Sequence, residues 1–107
     1  MTGSPVKYYA LRLTPEQDLK MELLAFVRTH NLKAAFIATC TGSLQQASLR
    51  LADRKEGSLY DNKFEIVSLV GTLGNDTAHL HLSIADTDGQ VTVGNLPAAT
   101  EIYTTAE

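Results

Sequence analysis

The chain has 107 residues, 44% of them apolar and 20% charged, enough for one compact core and too few for two independent domains. Nine Lys and Arg against twelve Asp and Glu leave a net charge of −3, so no overall positive field draws the chain toward nucleic-acid phosphates or anionic lipid. No apolar run approaches the roughly 20 residues that span a bilayer.

The start, Met1-Thr2-Gly3-Ser4-Pro5, lacks the basic and apolar regions of a signal peptide. Residues 1–5 are therefore expected to form a short mobile tail before one domain over 6–107, in the cytoplasm or nucleus. Cys40 is the single cysteine, so no internal disulfide can form, which fits a reducing compartment.

Alternation from Lys7 to Leu13 predicts an opening strand. Thr14-Pro15-Glu16-Gln17 is a helix-start signal, with Thr14 as cap, Pro15 in the first turn and Gln17 closing a capping box. A helix is predicted from Pro15 to about Thr29. Leu19, Leu23, Phe26 and Val27 form its apolar stripe, widened by Met21 and Leu24, and Asn31 supplies a left-handed cap. The apolar run Ala34 to Cys40 predicts a strand buried on both faces, turning at Thr41-Gly42-Ser43 into a hairpin with Leu44 to Leu51.

The polar stretch Asp53 to Lys63 reads as a connection holding a short strand at Ser58-Leu59-Tyr60. Strands Phe64 to Leu73 and Ala78 to Ala85 flank the turn Gly74-Asn75-Asp76. A further strand, Gln90 to Val93, follows the turn Asp86-Thr87-Asp88-Gly89 and is broken by Gly94-Asn95, and Ile102 to Thr105 forms the last. One helix followed by many short, tightly connected strands predicts an α+β domain with a mostly antiparallel sheet.

His79 and His81, two apart on a strand, emerge on one face while Leu80, Leu82 and Ile84 face the core. A zinc site needs a third ligand; His30, Glu65, Asp86, Asp88 or a neighbouring chain are the candidates. Against this stands a plain structural role for two histidines on a polar face or a subunit contact. Cys40 reads as a small buried hydrophobe and Ser83, without a nucleophile elbow, as a strand serine. Arg50, Arg54 and Lys55 form the one basic cluster, which Asp53 and Glu56 interrupt, and this gives no DNA footprint. The aromatic residues fall within apolar patterns and read as core.

Taken in order, Tyr9-Ala10-Leu11-Arg12-Leu13, Ala34-Ala35-Phe36-Ile37 with Cys40-Thr41-Gly42-Ser43-Leu44, Phe64 through Leu73, His79 through Asp86 with Gly89, and Thr104-Thr105-Ala106-Glu107 resemble the PPC domain family, the plant and prokaryote conserved domain also called domain of unknown function 296. The resemblance covers nearly the whole chain. It implies a homotrimer of α+β subunits that works as an interaction module in a DNA-associated regulatory assembly. The Arg-Gly-Arg-Pro hook that contacts DNA in plant members is missing here, so direct DNA binding is not expected.

Some stand-alone members of the family hold a metal through three histidines. His79 and His81 match two of them, and Asn95 in Val93-Gly94-Asn95-Leu96 stands at the third. The alternative function is accordingly a metal-dependent enzyme, with zinc at His79 and His81, acting on a small molecule. Family members usually continue past the Thr-Thr-Ala-Glu segment with another strand or two, so the chain is expected either to be truncated or to form a smaller sheet with an open or subunit-covered edge.

Overall fold

Among the described residues, seven strands and one helix form the fold, and most of its contacts join segments distant in sequence. The computed structural model describes residues 2–97 and 100–107; Met1 of the expected tail lies outside them, and residues 2–5 are exposed without helix or strand. The helix is α1 (Leu19–Thr29), and the strands are β1 (Ala35–Phe36), β2 (Gly42–Leu49), β3 (Ser58–Tyr60), β4 (Phe64–Gly74), β5 (Thr77–Ala85), β6 (Val91–Asn95) and β7 (Glu101–Ala106). All pairings are antiparallel, in the order β3-β2-β4-β5-β6, with β1 added to β4 and β7 to β2. An isolated bridge from Arg50 to Asn95 brings the end of β2 back to β6, so the sheet curls around its core. The α+β reading is confirmed. No helix among the described residues is long and apolar enough to cross a membrane.

The longest pairing is the β4–β5 hairpin, from Glu65 opposite Ala85 to Gly74 opposite Thr77, with one register shift between Ile66 and Ser68, where Val67 is the extra residue. Asn75 and Asp76 close it at φ 49° and 62°. Two successive left-handed residues make the mirror-image turn whose twist matches that of the strands, and Asn and Asp tolerate that conformation. Thr77 Oγ1 donates to the Gly74 carbonyl at 2.8 Å and secures the corner.

The opening strand expected at Lys7 to Leu13 does not form. Leu13 alone bridges Ala106, and the antiparallel register carried on from there sets Arg12 against Glu107, where an ion pair of 3.1 Å forms. No described residue stands opposite Lys7 to Leu11, and a strand pattern without a partner remains unpaired.

The helix starts four residues later than expected, because residues 14–19 pair with the chain around β7. Glu16 N–H donates to Ile102 O, Ile102 N–H to Gln17 O, and Leu19 N–H to Thr100 O, all at 2.8–2.9 Å. Asp18 is the cap instead of Thr14: Oδ1 accepts from the Met21 amide and Oδ2 from the Thr100 amide, at 2.9 and 3.0 Å. Gln17 still accepts from Thr14 N–H and Oγ1, so the reciprocal contact survives inside a turn. Leu19 and Val27 are buried and Leu23 packs against the core, whereas Met21 is 65% exposed and lies off the stripe. Asn31, at φ 51°, follows the C-cap His30 as its residue type predicts.

Of the run Ala34 to Cys40, only Ala35 and Phe36 pair, and they pair with β4. β1 and β2 are both antiparallel to β4, along its end and its beginning respectively, so they run parallel to each other and cannot form the expected hairpin. Burial on both faces also fails, since Phe36 is 53% exposed and only Ile37 and Cys40 pack partly against the core. The aromatic expectation holds for buried Phe64 and for Tyr60, which meets it edge to face, and fails for Tyr8, 71% exposed.

Leu80, Leu82 and Ile84 are fully enclosed with Leu44, Leu49, Leu96 and Ile102, and each such side chain contributes about 1.5–3 kcal/mol. β6 continues through Gly94 and Asn95, past its expected break, because the end of β2 lies alongside and offers hydrogen bonds. Asn95 and Arg50 exchange N–H···O bonds of 2.9 and 3.0 Å, and a Cβ on Gly94 would stand 3.0 Å from the Arg50 carbonyl.

The turn Thr14–Gln17 contains one strained residue. Gln17 N–H donates to Thr14 O at 3.2 Å, Pro15 holds the second position, and Glu16, exposed at the third, is forced to φ 72°. That position of a type II turn favours glycine. Glu16→Gly is expected to stabilise the fold by about 0.5–1 kcal/mol, the relief of left-handed strain less the added chain entropy. A urea titration should show a higher midpoint at unchanged slope; a lower midpoint would contradict this account of the turn.

Candidate functional site

The β4–β5 register decides which side chains meet outside the sheet. Directly opposed residues of antiparallel strands share a face. Thr72 faces His79, Val70 faces His81, and Ser68 faces Ser83, while Leu69, Leu73, Leu80, Leu82 and Ile84 occupy the inner side. His79 and His81 are exposed neighbours with ring centroids 5.1 Å apart at 73°. They lie on one face as their spacing predicts.

β6 extends that face. Asn95 stands directly across from His81, and Val93 from Ser83. The bridge between Asn95 and Arg50 then carries one row across three strands to the residue that follows β2, from Val70 through His81 and Asn95 to Arg50. Position 95 is therefore the nearest neighbour of the histidine pair from another strand on the β6 side. The amide there is half-buried.

The other expected ligands lie elsewhere. His30 stacks on Phe26 at 4.1 Å and meets Tyr9 edge to face beyond the helix end, with its Nδ1 3.1 Å from the Phe26 carbonyl. Asp86 holds its own turn by accepting from the Asp88 and Gln90 amides at 2.9 Å. Glu65 stands opposite Ala85, two register steps beyond Ser83. Among the described residues, no three His, Cys, Asp or Glu side chains come together as a metal-binding group. Ser83 accepts a hydrogen bond of 3.1 Å from Ser68 Oγ.

Cys40 is packed partly against the core, and burial pushes its thiol above the ordinary thiol range, as fits an unreactive hydrophobe. In the basic cluster, Arg50 Nη1 donates to the Arg54 carbonyl at 3.2 Å, so this guanidinium braces the loop that follows β2.

Two features of the face escape a one-dimensional reading. The first is its apolar character: Phe36, Val67, Val70, Val91 and Val93 are 53–62% exposed, at positions where a half-solvated sheet ordinarily carries polar side chains. The second is Gly71, which stands opposite buried Leu80 and so lies on the inner side, behind the face. A Cβ at this residue would stand 2.0 Å from the His79 carbonyl oxygen, and its φ of 153° disfavours an L side chain. A glycine inside an apolar strand signals such close backbone approach.

Comparison with known proteins gives a family match over the full chain: residues 1–107 fit the model of the Plants and Prokaryotes Conserved (PCC) domain. A bifunctional protein GlmU from Synechococcus sp. (strain JA-3-3Ab) is 49% identical over 106 residues, which cover 99% of this chain and 17% of that protein. The chain thus spans about a sixth of that curated relative. A hypothetical protein from Salmonella cholerae-suis has a solved structure with TM-score 0.96 and 39% identity, covering 98% of this chain and 76% of that one. A plant- and prokaryote-conserved (PPC) protein from Pyrococcus horikoshii shares the fold at TM-score 0.79 and 23% identity, over 99% of this chain and 80% of that one.

Gly71 provides a direct check on the geometry of the face. Gly71→Ala is expected to destabilise the protein by about 1–3 kcal/mol, since the clash is with backbone that cannot rotate away. In a two-dimensional NMR spectrum the largest shifts should fall at His79 and Leu80. Full stability with unshifted His79 and Leu80 resonances would contradict the packing described.

Proposed function

The chain belongs to the Plants and Prokaryotes Conserved domain family, and on that premise we propose that it is a homotrimeric interaction module whose outer sheet face is buried between copies. The observation that carries this reading is the set of exposed apolar side chains on β1, β4 and β6, Phe36, Val67, Val70, Val91 and Val93, which flank the β5 histidines on one face. Each of these large side chains contributes on the order of 1–2 kcal/mol when removed from water, so five of them on one face favour association. Three copies are the assembly that the family resemblance implies, and closed symmetry satisfies the same patch on every subunit.

Within a DNA-associated regulatory assembly, the module acts through protein contacts. The acidic balance of the chain and the use of Arg50 to brace a loop support that division of labour. The GlmU likeness fits the same reading, because a domain that makes up 17% of a longer protein is suited to organising the rest of it.

Native mass spectrometry tests the proposal. Three times the 11.6 kDa chain mass is expected, with Val70→Glu combined with Val93→Glu giving single chains that keep the native circular dichroism. Val70 and Val93 are exposed within one chain, so the charges are tolerated unless the face is covered. A wild-type protein that stays a single chain at tens of micromolar, or a double variant that remains assembled, would refute the reading.

A further inference from the structure

The register of β6 against β5 bears on whether this face retains a metal ion. The family resemblance implies zinc on three imidazoles. Here two imidazoles and one carboxamide occupy neighbouring positions of the sheet: His79 and His81 on β5, with Asn95 directly opposite His81. The backbone arrangement for three converging side chains is present, since opposed residues on a sheet have Cβ atoms about 4.5–5.5 Å apart and the next residue on the face follows at about 7 Å. The donor set does not match. Zinc is held by imidazole, thiolate or carboxylate, and a stable centre needs at least three such protein ligands. A neutral amide oxygen is a weak substitute, and the amide nitrogen is a donor that offers a cation nothing.

Among the described residues, no other side chain makes up the deficit. His30 is stacked away at the helix end, Asp86 is tied into its turn, and Glu65 lies further along β4, opposite Ala85. On the far side of Asn95 the row continues with Arg50, whose positive charge opposes a cation. On the β4 side, His81 and His79 face Val70 and Thr72, neither of them an ionised ligand.

We infer that residue 95 decides what this face holds: as Asn it leaves a hydrogen-bonding site of two imidazoles and an amide that does not retain zinc, and one substitution at this position converts it into a metal centre. The inference counts the ligands of one chain, so zinc retained by the wild type through a residue of a neighbouring copy would overturn it.

The test is zinc titration against a competing chromophoric chelator, with metal content measured after desalting, on the wild type, Asn95→His, Asn95→Asp and Asn95→Ala. The wild type is expected to keep well under one zinc per chain. Asn95→His should keep one and bind at least about a hundredfold more tightly, and Asn95→Asp should also gain, having an anionic oxygen in the same place. Asn95→Ala should match the wild type. Adding His81→Ala to Asn95→His should abolish the gain, and cobalt should show a tetrahedral absorption spectrum only in the variants that gain. The inference is overturned if the wild type binds zinc as tightly as Asn95→His, if Asn95→Ala loses tenfold or more because the amide was a ligand, or if both Asn95→His and Asn95→Asp, with native circular dichroism, bind no better than wild type. Should Asn95→His fail to fold, Asn95→Asp and Asn95→Ala decide the question alone.

Discussion

The register of the β4–β5 hairpin is the constraint on which the rest of the structure depends. It is set by Asn75 and Asp76, which accept left-handed backbone, and by Leu80, Leu82 and Ile84, which leave water only if every second residue of β5 faces inward. A slip of one residue would bury both histidines and expose three large aliphatic side chains, so the two determinants reinforce each other. Once that register is fixed, His79 and His81 must face outward beside Val70 and Thr72. The close backbone approach at Gly71 follows from the same pairing.

The outward face combines two properties that rarely share one surface. Valine and phenylalanine side chains give it a cost in water, and an imidazole pair with an amide gives it a polar centre. In the proposed assembly, burial between copies resolves the first. The second then lies in or beside the contact, where hydrogen-bonding groups take part in recognition between subunits or toward a ligand shared by them. A family whose members keep the same curled sheet can thus differ in what the face holds through single positions such as residue 95, because the scaffold that presents those positions does not need to change.

Much of this was legible in the sequence, for physical reasons that particular residues make plain. The helix stripe, the hairpin, its turn and the outward histidines depend on local periodicity and turn chemistry, which act within a few residues. What sequence reading missed depends on partners far along the chain. Thr14 has a cap's composition, yet the pairing of Glu16 and Gln17 with Ile102 moves the cap to Asp18. Lys7 to Leu11 alternate like a strand and find no strand partner among the described residues. Ala34 to Cys40 looks like core because it is apolar, but its short pairing with the end of β4 leaves Phe36 outside. Gly94-Asn95 has the composition of a break, and the approach of Arg50 holds it in the sheet. The place of Asn95 against His81 follows from that distant contact, so the third position of the site was legible only through family resemblance.

The central claim is that the outer face of β4, β5 and β6 is covered in the working protein. Its most direct measurement is the relaxation of methyl NMR signals by a paramagnetic agent dissolved in the solvent. Met21, which is 65% exposed on the helix, serves as the internal reference. The account predicts that the methyls of Val70, Val91 and Val93 relax several-fold less than that of Met21, although within one chain these valines are 53–62% exposed. Equal relaxation of the four would show an open face and contradict the account.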